Sequence, residues 1–138
     1  MNEATQIGAQ RTLRALVIDD DELVRETIVA ILKSVNLDVI AACDGEEGLQ
    51  LFESDPTDLV ITDILMPNKE GIETITELRA QDSDVKILAI SGGGQVAGPK
   101  YLKLAERMGA DRTLPKPFTP QQVLTIVDEL LQDLRTAP

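Results

Sequence analysis

Four short, almost wholly apolar runs punctuate the chain: Ala15-Leu16-Val17-Ile18, Val39-Ile40-Ala41-Ala42, Leu59-Val60-Ile61-Thr62 and Ile87-Leu88-Ala89-Ile90. Runs of this length with no polar alternation read as strands buried on both faces, the state of strands in a parallel sheet. A fifth, weaker run is Arg112-Thr113-Leu114. The segments between them carry helical spacing: Val24, Ile28, Ile31, Leu32 and Val35 form one apolar stripe at i, i+4, i+7, i+8 and i+11, and Tyr101, Leu104, Ala105 and Met108 repeat it in the fourth segment. Gly109 suits the C-terminal cap of that fourth helix. Thr119 before Pro120 makes a cap and first-turn pair for a last helix, whose buried stripe is Val123, Val127, Leu130, Leu131 and Leu134. Five strands alternating with five helices predict an α/β fold, a doubly wound parallel sheet with helices on both faces.

With 138 residues, 43% of them hydrophobic, the chain supplies one core and one domain. Its 24 acidic against 13 basic residues, net charge -11, repel polyanions and exclude nonspecific nucleic-acid binding. The absence of histidine removes imidazole metal ligands, Ser-His and Cys-His nucleophiles and phosphohistidine chemistry within the chain, which leaves carboxylates, hydroxyls and lysine. The single cysteine, Cys43, lies in an apolar stretch and is expected as a buried core thiol in a reducing compartment. Residues 1–12 are polar and lack the apolar core of a signal peptide, and no apolar run approaches the ~20 residues needed to span a bilayer. The expectation is a soluble, cytoplasmic protein: a flexible tail over 1–12, one domain over 13–134, a short tail over 135–138, no attached output domain and no membrane association.

Charged and hydroxyl residues gather at the carboxyl ends of the strands. Asp19 and Asp20 follow the first, Asp63 the third, Ser91 the fourth, and Lys116 stands just beyond the fifth. In a doubly wound sheet of order 2-1-3-4-5, ligands bind outside the strand ends between strands one and three, where the order reverses. Three carboxylates in one cleft repel one another and call for a cation, and an all-oxygen donor set favours Mg2+. A carboxylate beside Mg2+ is a competent nucleophile toward a phosphoryl group, with Lys116 offsetting charge on the equatorial oxygens and Ser91 donating a hydrogen bond to the new dianion. Simpler roles stand beside these. An acidic pair after a strand commonly caps the next helix, and Asp21 reads as a cap or a solvated charge. Gly71 reads as a turn glycine at helix three, while Phe52 and Phe118 read as core. The glycines from Gly92 to Gly98 are followed by Pro99, Lys100 and Tyr101, not the Lys and Ser or Thr of a phosphate-binding loop, so they read as a mobile connection.

Leu16-Val17-Ile18-Asp19-Asp20-Asp21, Asp63-Ile64-Leu65-Met66-Pro67 with Gly71, Ile90-Ser91-Gly92 and Lys116-Pro117-Phe118 together resemble the receiver domains of two-component response regulators. The resemblance implies a flavodoxin-like (βα)5 fold and a phosphorylated switch in place of a metabolic enzyme. It makes Asp63 the phosphoacceptor, gives Mg2+ to Asp20, Asp63 and the Leu65 backbone carbonyl with Asp19 acting through metal-bound water, and sets Ser91 and Lys116 against the phosphoryl group. It implies a cis Lys116-Pro117 bond. The donor is a histidine kinase or a histidine phosphotransfer protein, and the partner face, which also supports a phosphorylation-dependent homodimer, is helix four, strand five and helix five. Two departures stand out. Thr113 occupies the position where many receivers carry a switching aromatic, and the connection before helix four is extended around residues 95–100, so ordering of Gly92 to Pro99 is the expected report of phosphorylation. Leu65 and Gly93 offer no side chain to position an attacking water, which implies a long-lived phosphoryl group. Two other readings compete: a haloacid-dehalogenase-like phosphatase using the Asp19-Asp20-Asp21 spacing, though Leu23 breaks its motif and Asp63 is left unexplained, and a receiver-like scaffold that never accepts phosphate.

Overall fold

The computed structural model describes residues 12–64, 71–91 and 98–136. Strands and helices alternate strictly along them: β1 Arg14–Ile18, α1 Glu22–Lys33, β2 Asp38–Ala42, α2 Gly45–Ser54, β3 Leu59–Asp63, α3 Gly71–Gln81, β4 Lys86–Ser91, α4 Gly98–Met108, β5 Arg112–Pro115 and α5 Pro120–Thr136. The five strands form one parallel sheet of order β2-β1-β3-β4-β5. This is the doubly wound architecture expected from the sequence, with the order reversing between β1 and β3.

Strand parity builds two cores. Ala15, Val17, Leu59, Ile61, Leu88, Ile90 and Leu114 point to one face, where Ile28, Ile31 and Leu32 of α1 and Val123, Ile126, Val127 and Leu131 of α5 cover them. Leu16, Ile18, Val60, Ile87 and Ala89 point to the other, beneath Leu49 and Phe52 of α2, Ile75 and Leu78 of α3 and Ala105 of α4. A side chain period of 2 sends alternate residues to opposite layers, and that is why the central strands read as continuous apolar runs.

Helix ends follow local chemistry. The Asp21 carboxylate accepts from the Leu23 and Val24 amides and so caps α1. Thr119 and Gln122 exchange side-chain and backbone hydrogen bonds across the start of α5, a reciprocal capping box. Asn36 (φ 68°) and Gly109 (φ 129°) take left-handed conformations after α1 and α4. In both places two amides reach back to helix carbonyls: Asn36 to Lys33 and Leu37 to Leu32, Gly109 to Glu106 and Ala110 to Ala105. Those bonds satisfy the last carbonyls of each helix and turn the chain into the next strand.

At the edge of the sheet opposite the strand carboxyl ends, Arg79 of α3 ties several elements together. Its guanidinium donates to the carbonyls of Ser83 (2.9 Å), Val85 (2.7 Å) and Gly109 (2.6 Å) and to the Asp111 carboxylate (2.9 Å). Asp111 in turn accepts from the Ile87 amide. The loop after α3 and the C-terminus of α4 thus share one cation, which also complements the helix dipole. Arg79→Ala is expected to lower stability by about 2 kcal/mol, because it removes the guanidinium donors of the part-buried Val85 and Gly109 carbonyls. Urea unfolding measures it, and a loss within the scatter of surface substitutions is the contrary result.

Several sequence expectations are corrected by the packing. β2 is not buried on both faces: Asp38 and Ala41 are exposed and Val39 and Ile40 only half-buried, because β2 is an edge strand with a neighbour on one side. Cys43 is exposed, not a core thiol, since it continues the parity of exposed Ala41 past the end of that edge. Its amide donates to Glu47, and hydrogen bonding with Glu47 together with the surrounding acids pushes the thiol pKa up, away from reactivity. Val35 lies beyond the end of α1 and is exposed. In α4, Ala105 is buried and Leu102 packs on the core, but Leu104 and Met108 are 40% and 38% exposed, so the stripe read from their spacing is not the buried one. The side chain of Tyr101 lies outside the described residues. No helix among the described residues is long and apolar enough to cross a membrane.

Candidate functional site

The carboxyl ends of β1, β3, β4 and β5 open on one cleft at the order reversal. Asp19 follows β1 directly; its amide continues the sheet by donating to the Ala42 carbonyl (3.2 Å), and its side chain is fully buried. Asp63 ends β3 and is 3% exposed, while Asp20 faces solvent. One carboxylate oxygen from each of Asp19, Asp20 and Asp63 lies within 4.8 Å of the other two. These residues, 44 positions apart from the first to the last, are brought together by the pairing of β1 with β3.

Lys116, just past β5, puts Nζ 3.4 Å from Asp19 Oδ2 and 3.5 Å from Asp63 Oδ2. Both distances exceed the ~2.8 Å of a tight ammonium–carboxylate bond. The ammonium stands between the two acids and remains able to close on either or on a new anion. Burial pushes the Asp19 carboxyl above its ordinary pKa and Asp20 adds repulsion, while the Asp21 amide and Lys116 pull the other way. A cation in the cluster relieves both the burial cost and the repulsion. Three carboxylate oxygens with neither sulfur nor nitrogen form a hard donor set that suits Mg2+.

Ser91 ends β4, and its backbone carbonyl accepts from the Lys116 amide at 3.1 Å. Its hydroxyl is sealed from solvent and finds no hydrogen-bond partner among the described residues. An unpaired buried hydroxyl costs on the order of 1–3 kcal/mol, a cost that a ligand oxygen would remove. The Lys116-Pro117 peptide bond is cis, as the resemblance implied. Thr113 is half-buried on β5 beside Ala89, in the register where an aromatic was expected to be missing. Leu65, Gly92, Gly93 and most of the Gly92–Pro99 connection lie outside the described residues, so the carbonyl ligand, the extended loop and its proposed ordering gain no structural account.

Two supports of the cluster escaped sequence reasoning. The Asp21 amide donates to Asp19 Oδ1 (2.8 Å), and Arg25, one turn into α1, donates to the Asp19 backbone carbonyl (2.8 Å). Both fix the turn that carries Asp19 and Asp20. The only available signal was the placement of Arg25 one turn after a capping aspartate, and a bond to a main-chain oxygen leaves no trace in side-chain spacing. Asp21 itself caps α1, so its carboxylate is engaged away from the Asp19-Asp20-Asp63 cluster, against the requirement of the phosphatase reading.

Residues 15–128 match the response regulator receiver domain family. The chain belongs to that family. As a receiver it is 37% identical over 131 residues to the response regulator MprA of Mycolicibacterium vanbaalenii, an alignment covering 91% of this chain and 52% of that protein. The chain thus spans about half the length of the curated relatives it matches. Its fold superposes on chemotaxis protein CheY4 of Vibrio cholerae with a TM-score of 0.79 at 26% identity, covering 88% of this chain and 100% of that one. A CheY-like receiver domain protein from Methanospirillum hungatei gives 0.83 at 24% identity, over 93% of this chain and 100% of its own, a likeness of fold. The receiver family serves two-component signalling as a switch, takes phosphoryl groups from histidine kinases and binds Mg2+ at an acidic pocket; this receiver carries such a pocket in Asp19, Asp20 and Asp63.

Proposed function

We propose that this receiver accepts a phosphoryl group on Asp63 from a histidine kinase or a histidine phosphotransfer protein and thereby switches the binding of a protein partner. The observation that carries the reading is the Ser91 hydroxyl, buried and without a hydrogen-bond partner among the described residues, at the lip of a cleft that already holds Asp63 and Lys116. Asp63 supplies the nucleophile: an Oδ atom attacks phosphorus, the bond from phosphorus to the donor breaks, and the donor leaves with that electron pair. Lys116 moves its ammonium from between Asp19 and Asp63 toward the equatorial oxygens, and Ser91 donates its hydroxyl to one of them. Asp20 and Asp63 would hold Mg2+, with Asp19 in support and, as the resemblance implies, the Leu65 carbonyl as a further ligand. When bound, the ion neutralises charge on the transferring group and on the acidic cluster.

The domain is taken as residues 13–134, working in the cytoplasm as a switch that gains and loses its own phosphoryl group without turning over a metabolite. The partner face is α4, β5 and α5, where a phosphorylated homodimer also forms. The test is Mg2+-dependent labelling by acetyl phosphate, with the labelled residue located by borohydride reduction and peptide mapping. Label on Asp63 that chelation abolishes is expected. Label on Asp19 or Asp20, or labelling indifferent to Mg2+, overturns the assignment, and Mg2+ binding with no label at all returns the scaffold reading.

A further inference from the structure

The apolar run of β3 is broken one residue before Asp63. Leu59, Val60 and Ile61 bury hydrocarbon alone, whereas Thr62 buries a hydroxyl at 0% exposure. Its partners in register are Ile18 of β1 and Ala89 of β4, both apolar and buried. In such surroundings a hydroxyl is costly unless it is hydrogen-bonded, and valine, of nearly the same shape, carries no such cost. The bond that Thr62 makes is to the main chain of its neighbour: Oγ1 donates to the Asp63 carbonyl at 3.0 Å.

That carbonyl stands where the chain leaves the sheet. Register with β1 ends at Ile18 and Thr62, while register with β4 runs one pair further, to Asp63 and Ile90. The next carbonyl, of Ile64, accepts from the Gly71 amide at 2.8 Å. Two consecutive carbonyls are thus held, one from within β3 and one from the start of α3, and together they set the peptide that follows Asp63. Alternation along a strand sends the Thr62 and Asp63 side chains to opposite faces, so Thr62 acts on the cleft through the main chain and not by contact. Across the cleft Arg25 does the same for Asp19, donating to its carbonyl at 2.8 Å. Each of the two buried carboxylate residues of the cluster therefore has a side-chain donor on its own carbonyl, and exposed Asp20 lies between them.

We infer that Thr62 is a positioning residue for Asp63. Its hydroxyl fixes the main chain at the end of β3 and so holds the Asp63 carboxylate at its separation from Lys116 and within reach of Asp19 and Asp20. The inference rests on the reading of Asp63 as the phosphoacceptor and adds to that site a residue that touches neither the phosphoryl group nor the ion. Misplacing a reacting group by about 1 Å costs on the order of a hundredfold in rate, so the loss of one restraint among several is expected to cost about tenfold.

The test is acetyl phosphate labelling and Mg2+ titration of the full chain. Nitrogen-15 amide shifts give Mg2+ affinity, and the Asp63 carbonyl carbon-13 shift in metal-free protein reports the hydrogen bond itself. Thr62→Val removes the donor at nearly constant shape; it is expected to label about tenfold more slowly at saturating Mg2+, to bind Mg2+ about tenfold more weakly and to move the carbonyl resonance. Thr62→Ala should lose as much, which covers the case of a valine that disturbs folding, and Thr62→Ser should stay within about twofold of wild type. Thr57 is the control: it is 5% exposed and donates to the Leu59 carbonyl at 2.9 Å, at the end of β3 away from the cleft. Thr57→Val gives up a comparable bond and is expected to label and bind Mg2+ as wild type does. Wild-type labelling and Mg2+ affinity in Thr62→Val, a Thr62→Ser protein as impaired as Thr62→Val, or equal losses in Thr57→Val each overturns the inference. Unlabelled wild type refutes the phosphoacceptor instead, and Mg2+ affinity then decides Thr62 alone: a loss of about tenfold in Thr62→Val upholds its role, and an unchanged value overturns it.

Discussion

Asp63→Asn is expected to reduce acetyl phosphate labelling at least about a hundredfold, the equivalent of about 2.7 kcal/mol in the barrier. The amide retains the shape and burial of the carboxylate but removes the anionic oxygen that, in the proposed reaction, attacks phosphorus. Asp19→Asn is expected to retain partial labelling, because Asp63, Lys116 and Ser91 remain in place and only the support of the cation is weakened. The stability change runs in the opposite direction from the activity change. Asp63 shares a pocket with Asp19 and Asp20, their oxygens within 4.8 Å of one another, so neutralising it without a cation present removes like-charge repulsion at a nearly solvent-free position. Metal-free Asp63→Asn should therefore be about 1 kcal/mol more stable than wild type to urea, a gain that millimolar Mg2+ cancels by stabilising wild type through binding. A variant that loses label and stability together, with or without Mg2+, points to damaged folding and leaves the nucleophile unidentified.

The central sheet was legible because β1, β3 and β4 are buried on both faces and advertise it in uninterrupted apolar runs. The edge was not: β2 has the same composition but a different environment, and no pattern within Val39 to Ala42 reports how many neighbours a strand has. The cluster was legible for a related reason. Asp19, Asp63, Ser91 and Lys116 each stand immediately at or after a strand end, so topology alone converges them, and only the strand order had to be right. α4 exposes the weakness of periodicity. Two overlapping stripes satisfy a period of 3.6, one through Leu102 and Ala105 and one through Leu104 and Met108, and nothing in the spacing says which meets the sheet. Arg25 and Arg79 were missed because their partners, the Asp111 carboxylate apart, are main-chain carbonyls, which every residue possesses.

Gly71→Ala is expected to lower stability by about 3 kcal/mol and, on the proposed role of Asp63, to slow its labelling as well, because the missing side chain is what allows α3 to sit against the end of β3. The sequence suggested a turn glycine, yet Gly71 is not among the positive-φ glycines of the described residues, and its role is one of close approach. A Cβ built there lies 2.2 Å from the Asp63 carbonyl oxygen and 2.5 Å from the Ile64 Cα, both backbone atoms that cannot rotate away. The Gly71 amide closes the connection by donating to the Ile64 carbonyl at 2.8 Å. An added methyl group must push α3 off the end of β3 or shift the Asp63 main chain, and either movement disturbs the separation between Asp63 and Lys116. Gly48 is the internal control. There the clash is with the Ile18 side chain, Cδ1 and Cγ1, and not with backbone, so Gly48→Ala should cost less in stability than Gly71→Ala and leave labelling close to wild type. Urea unfolding and acetyl phosphate labelling on the two variants decide the matter. Equal losses of both quantities, or a Gly71→Ala protein that labels at the wild-type rate, would show that Asp63 does not depend on how closely α3 approaches it.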